Sequence, residues 1–295
     1  MTTNNGPKRI LIICNPTAGK YRRDHFDKIV SELHRLGCDV TVMETMRRGD
    51  AEAFARTAEV ARFDAVVAAG GDGTIGEVAN GLLGRGLPLG IIPLGTANVL
   101  AAEIGLPHNL RAVASTIATG KRRRCYPGQA NDHLFLMMAG VGFDAHVVDN
   151  TSPTLKRIFG KGAYAYATLR QLLLTSPGPY TVTLDEATYT AASVVVGKGH
   201  FYAGRFVCTP DARIGLPVFQ ICLFKDGGPW ATLKYLLGFL AGRLPSMASV
   251  KLMQGDHLRI DGTPGDPVQG DGDIFTHLPL DVRIAEATLD LLVPA

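Results

Sequence analysis

Between Arg9 and Leu94, short unbroken apolar runs alternate with longer segments whose apolar residues recur every three or four positions. The runs Arg9–Cys14, Val40–Met43, Ala65–Ala69 and Leu87–Ile92 are too short for helices and show no polar alternation, as expected of strands buried on both faces of a sheet. Phe26, Ile29, Val30, Leu33 and Leu36 form one helical stripe, which Gly37 should end. Asp50 is placed to cap a second helix from Ala51 to about Val60. Strand, helix, strand, helix predicts a parallel sheet with right-handed crossovers, and ligands in such sheets lie at the carboxyl ends of the strands. After Lys121-Arg122-Arg123-Arg124 and Pro127-Gly128 the pattern changes. Strand-like runs at Tyr180–Leu184, Ala192–Val196 and Val218–Phe224 between glycine-rich turns predict an antiparallel sandwich. A helix is expected from Ala163 to Leu174, before Pro177, and another, almost free of charge, from Trp230 to Leu244.

The sequence thus reads as α/β plus all-β: a Rossmann-like, three-layer α/β domain over residues 1–124, then a β-sandwich-like domain over 125–281. One stretch of the first domain carries chemistry. Ala65–Ala69 leads into Gly70, Gly71, Gly73 and Gly76, and glycine lets backbone N–H groups come close to a ligand. Thr74 with Glu77 three residues on is a capping box, predicting a helix from Thr74 with Val78, Leu82 and Leu83 inside. Strand, glycine loop and helix N-terminus together make an anion site. Asp72 inside that loop would repel phosphate unless a cation bridges them, which implies Mg²⁺. A plain turn with an exposed acid is the alternative. The loop is no Walker A motif, because no Gly-Lys-Ser/Thr follows. Gly71, Gly73 and Gly76 satisfy G-x-G-x-x-G, yet the next run ends in Gly95-Thr96-Ala97-Asn98 without the acid that a dinucleotide ribose needs.

Composition narrows the classes. A net charge of +3 with 19% charged residues is too mild to argue for nucleic acid. The five cysteines, odd in number and mostly inside apolar runs, read as reduced core residues of a cytoplasmic protein. The polar N-terminus lacks a signal-peptide core, and no run reaches the ~20 apolar residues of a membrane span. Lys121–Arg124 reads either as an attraction to anionic lipid or as a solvated linker or strand end.

Gly-Gly-Asp-Gly-Thr at 70–74 with Glu77-Val78-Ala79-Asn80-Gly81-Leu82 behind it resembles the nucleotide-binding motif of the diacylglycerol kinase catalytic family, which includes sphingosine and ceramide kinases. NAD kinases and phosphofructokinases share only the Gly-Gly-Asp-Gly core. Asn15-Pro16-Thr17-Ala18-Gly19 is similar to the family's Asn-Pro-x-Ser-Gly, and Pro93-Leu94-Gly95-Thr96-Ala97-Asn98 to its Pro-x-Gly-Thr-x-Asn. The resemblance implies ATP binding by Asn15, Pro16, Thr17, Gly19, Thr45, Gly70, Gly71, Asp72, Gly73, Thr74, Glu77, Thr96 and Asn98, with Mg²⁺ held at Asp72. Gln269-Gly270-Asp271-Gly272-Asp273 is similar to the family's Gln-x-Asp-Gly-Glu. It implies Asp271 as the base for a lipid hydroxyl and Asp273 as its helper or a metal contact, with the two roles open to exchange. One segment departs. Pro210–Pro217 lacks the Asp-Gly pair of the family's structural metal loop, and with Asp211 alone a second Mg²⁺ is not expected there. The tail, from about Val282 to the end at 295, should return to the first domain as a strand.

By that resemblance the chain is an ATP-dependent lipid kinase with its active site in a cleft between the domains and a β-rich lipid-binding second domain. It would meet its lipid peripherally at the inner face of the membrane, with a homodimer allowed. A NAD kinase-like enzyme and a non-catalytic lipid-binding protein on the same fold are the rival readings.

Overall fold

The computed structural model describes residues 8–19, 23–143, 145–146, 178–202 and 204–295, and the chain divides into two units. One unit contains the residues up to Cys125 together with Ala287–Ala295; the other is Tyr126–Glu286.

The first unit runs β1 (Arg9–Cys14), α1 (Arg23–Arg35), β2 (Asp39–Glu44), α2 (Asp50–Thr57), β3 (Ala65–Gly70), α3 (Asp72–Leu82), β4 (Leu89–Pro93), α4 (Val99–Glu103), α5 (Leu110–Thr119) and β5 (Lys121–Cys125). Strands β2, β1, β3 and β4 are parallel neighbours in that order. The tail strand Leu289–Val293 lies between β4 and β5, parallel to the first and antiparallel to the second. Every residue of β3 is buried, so both faces of the sheet are covered there. The covering helices pair as α1 with α5 and α2 with α3, which makes the three layers. Of the linker and strand-end alternatives for Lys121–Arg124 the strand holds: these residues are the exposed part of the edge strand β5. Charge along an edge strand discourages pairing with other chains.

Two local expectations change. Asp50 is the first residue of α2 and its carboxylate accepts N–H bonds from Met46 and Arg47, so it closes the loop before the helix while Gly49 takes the cap position. Helix α3 begins at Asp72, two residues before the predicted capping box, with Gly71 at its N-cap and no side-chain cap. Thr74 is drawn inside instead, where it is 7% exposed.

The second unit contains β6 (Gly128–Ala130), β7 (His133–Phe135), β8 (Met138–Val141), β9 (Tyr180–Leu184), β10 (Ala187–Ala191), β11 (Ser193–Gly197), β12 (Phe219–Phe224), α6 (Pro229–Leu240), β13 (Val250–Gly255), β14 (His257–Asp261), β15 (Pro267–Gly270), β16 (Asp273–His277) and β17 (Leu280–Ile284). The tail strand is therefore β18. Two six-stranded antiparallel sheets form, ordered β10-β9-β14-β17-β6-β7 and β13-β12-β11-β8-β15-β16. Tyr180, Val182 and Leu184 alternate inward on β9 and join Val194, Val196, Phe219 and Ile221 in one core. Val282–Ile284, expected in the returning tail, pairs instead with β14 and β6, because its alternation already suits the sandwich. The return to the first unit starts at Ala287.

The predicted helix at Ala163–Leu174 lies outside the described residues. All five cysteines are buried and unbridged, as the sequence reading expects, and burial pushes the Cys14 thiol up to about 11. Helix α6 stops at Leu240 and is two-sided. Tyr235 is buried, its hydroxyl accepting from the Asp226 N–H and donating to the Ser249 carbonyl, whereas Trp230 is 83% exposed.

Candidate active site

Four strand ends of the parallel sheet carry the residues singled out by sequence, and hydrogen bonds join them in a row. The Thr45 N–H donates to the Cys14 carbonyl (2.8 Å), Asn15 N–H to the Ala69 carbonyl (2.9 Å) and Leu94 N–H to the Gly70 carbonyl (2.8 Å). The loops after β1, β2, β3 and β4 thus form one continuous rim.

Side chains lock this rim. Asn15 accepts from both the N–H and the hydroxyl of Thr17 (2.9 and 2.8 Å) and donates through Nδ2 to the Thr74 hydroxyl at 3.2 Å. Asn98, in the left-handed region at φ 49°, accepts from Gly95 N–H at 2.9 Å and donates to the Gly95 carbonyl at 2.8 Å. A Cβ on Gly95 would lie 2.5 Å from the Gly71 Cα, and one on Gly19 would lie 3.2 Å from the Thr96 hydroxyl oxygen. The loops at 15–19, 70–74 and 95–98 therefore converge. Neither Gly70, Gly71, Gly73 nor Gly76 has a positive φ. Glycine is required at 95 because backbone passes against backbone, not for a left-handed turn, and a Cβ at 71 would be tight at 3.3 Å from the Gly95 Cα.

Asp72 holds the center of this arrangement. Its two carboxylate oxygens accept the N–H groups of Asn98 (2.9 Å) and Val99 (2.7 Å), at the start of α4. The sequence reading has this charge waiting for a cation; the fold answers it first with backbone amides and the helix N-terminus. Burial pushes the carboxyl up from its ordinary range, and the Val99 and Asn98 N–H groups pull against that. Pro16 and Glu77 are half-buried, while Gly73 and Thr96 are exposed. Among the described residues no three His, Cys, Asp or Glu side chains cluster as a metal site.

Asp271 and Gly272, at φ 51° and 93°, form the two-residue turn of the β15–β16 hairpin. The commonplace turn and the predicted site are the same object. The Asp271 carboxylate accepts three backbone N–H groups, from Leu136 (2.7 Å), Met137 (2.9 Å) and Met138 (3.0 Å), and its own N–H returns to the Met138 carbonyl at 3.0 Å. Backbone N–H donors around a carboxylate favour its charged form. Asp273 follows the turn and is exposed. Sequence reasoning named Gln269 within the motif without giving it a role, and missed a second support altogether. Gln269, 1% exposed, accepts the Gly272 N–H at 3.0 Å. The segment 136–138, whose amides grip Asp271, carries no side-chain signature at all.

Asp211 is engaged by Gln220, which accepts its N–H at 2.7 Å and donates to its carboxylate at 3.0 Å. One carboxylate oxygen of Asp211 is thus taken by Gln220, in a loop without the Asp-Gly pair.

Comparison with known proteins accounts for this layout. Residues 9–130 match the family model described as diacylglycerol kinase catalytic domain, and residues 137–293 match the YegS C-terminal NAD kinase beta sandwich-like domain. The diacylglycerol kinase of Bacillus subtilis is 30% identical over 224 residues, 74% of each chain. The chain belongs to the diacylglycerol kinase catalytic-domain family. It is a kinase, with the two-domain architecture of that family. A protein of Pseudomonas aeruginosa named "Probable lipid kinase YegS-like" is 30% identical over 270 residues, covering 87% of this chain and 88% of its own. A solved diacylglycerol kinase structure from Bacillus anthracis superposes with a TM-score of 0.79 at 25% identity, covering 99% of this chain and 98% of the other.

Proposed function

We propose that this chain transfers the γ-phosphate of ATP to a hydroxyl of a membrane lipid, of diacylglycerol or sphingoid type. The observation that carries the reading is Asp72 drawing the loop at 95–99 onto the start of α3, which places three glycine-bearing loops on one rim. Uncapped first-turn amides of α3 then face the nucleotide phosphates, where backbone donors and the helix dipole favor negative charge. Asn15 and Asn98 hold the flanking loops, and Thr45 and Thr96 border the same rim. Mg²⁺ arriving with ATP would neutralise the phosphate charge, with the remaining lone pairs of Asp72 as its protein oxygens.

On the acceptor side Asp273 takes the hydroxyl proton as attack proceeds, and Asp271 fixes the turn that presents it. Access favours this division of the two interchangeable roles: the Asp271 carboxylate accepts three backbone N–H groups, and Asp273 is exposed at the head of β16. The names of the relatives support a lipid acceptor. The exposed Trp230, Leu237 and Leu240 of α6 supply apolar side chains for a membrane surface. No helix among the described residues is long and apolar enough to cross a membrane.

The test is transfer from radiolabelled ATP, with magnesium, to a panel of diacylglycerol, sphingosine, ceramide and lysophospholipid vesicles, and to NAD in parallel. Label in a lipid supports the reading. Label in NAD alone overturns the lipid acceptor, and none in any acceptor despite lipid binding overturns the kinase role.

A further inference from the structure

Lys198 is fully buried, and nothing in the phosphotransfer reading uses it. Its ammonium donates to the carbonyls of Arg213 (2.9 Å), Ile214 (3.4 Å) and Leu216 (2.5 Å). These carbonyls belong to Pro210–Pro217, the loop in which the family resemblance puts a structural divalent cation. The residues present do not fit such an ion. The loop has no Asp-Gly pair, its single acid Asp211 is bound by Gln220, and an ammonium already lies among its backbone oxygens. A buried cation is tolerated only when its charge is met by oxygens, and a divalent ion beside it would be repelled.

We propose that the Lys198 ammonium is the built-in cation of this loop and makes its order independent of divalent metal. The anchorage on both sides suits that role. Gly197 packs on Thr209, where a Cβ would lie 2.1 Å from the hydroxyl oxygen; Thr209 donates to the Gly199 carbonyl (3.1 Å), and a His200 ring nitrogen meets the Pro210 carbonyl at 2.9 Å. The Lys198 N–H donates to the Met137 carbonyl at 2.8 Å, while the Met137 N–H donates to Asp271. The loop cation and the Asp271 turn thus share one residue. An alkyl chain with a compact charge reaches a carbonyl cluster from inside a sandwich without bringing water, which a hydrated metal cannot do.

The test reads amide hydrogen exchange of residues 209–217 in nucleotide-free protein, with millimolar MgCl2 or with EDTA. In the wild type, exchange is expected to be the same in both. In Lys198→Met it is expected to quicken roughly 10- to 100-fold, the range for losing charged bonds to buried carbonyls. Leu216→Asp with Pro217→Gly restores the family's acid while keeping Lys198, and is expected to remain indifferent to Mg²⁺. Slower exchange of the wild-type or double-variant loop in Mg²⁺ overturns the proposal, as does unchanged exchange in Lys198→Met. Should Lys198→Met not fold, the two proteins that retain Lys198 decide the matter. The readout contains no ATP or lipid, so its failure and failure of the kinase reading are separate.

Discussion

Asp271 and Asp273 are two residues apart and differ in what surrounds them. Three amide N–H groups stabilise the anionic form of Asp271, so Asp271→Asn should lower both activity and the unfolding midpoint, since an amide cannot accept all three. Asp273→Asn should lower the midpoint less than Asp271→Asn does and cut kcat by roughly 10²–10⁴-fold, the usual contribution of a general base. Parallel kinetics and thermal melts check this, and equal kcat for wild type and Asp273→Asn would remove the assigned base. Gly95 makes a steric prediction. Its missing Cβ leaves space filled by the Gly71 Cα, so Gly95→Ala must push two backbones apart. The expected result is a raised KM for ATP together with weaker folding, measured by nucleotide titration and denaturant melts.

At the scale of elements, the ends of strands are pinned by charge and one helix keeps an exposed apolar face. Asp64 precedes β3 and bonds the N–H and guanidinium of Arg9 at the start of β1. The Arg9 guanidinium holds the Asp64 carboxyl below its usual range. A carboxyl depressed in the folded state adds stability that is present above its unfolded value near pH ~4 and is lost as pH falls through the folded value. Asp64→Asn should therefore destabilise at pH 7, and the gap to wild type should narrow as the pH falls below ~4; urea melts at pH 7 and through the acid range show whether it does. For α6, Trp230→Ser is expected to reduce sedimentation with anionic vesicles several-fold without moving the melting midpoint, because Trp230 packs on little of its own unit. An unchanged vesicle fraction would count against α6 as the lipid-facing element.

For the whole molecule, the last residues complete a sheet begun at the first. β18 inserts between β4 and β5 and buries Leu289, Leu291, Leu292 and Val293. At ~1.5–3 kcal/mol for each buried aliphatic side chain, those four contribute roughly 6–12 kcal/mol, comparable to the ~5–15 kcal/mol net stability of a typical domain. A chain ending at Glu286 should therefore fail to fold its first unit, read as insoluble expression or loss of the cooperative melt.

The sequence by itself determined the alternation of β and α in the first unit, the antiparallel strands of the second and the glycine-marked loops. Apolar periodicity and glycine spacing are local, and local patterns are legible along a chain. It also exposed the odd loop at Pro210–Pro217 through a missing Asp-Gly pair. Only the tertiary structure decided which groups answer each buried or half-buried charge: Asn98 and Val99 for Asp72, residues 136–138 for Asp271, and the loop carbonyls for Lys198. Backbone amides and carbonyls are alike in every residue, so no pattern of side chains announces where they will converge. The early start of α3 and the place of Val282–Ile284 in β17 were hidden for a related reason: packing outweighed a local cap and a local alternation that fit two strands equally well.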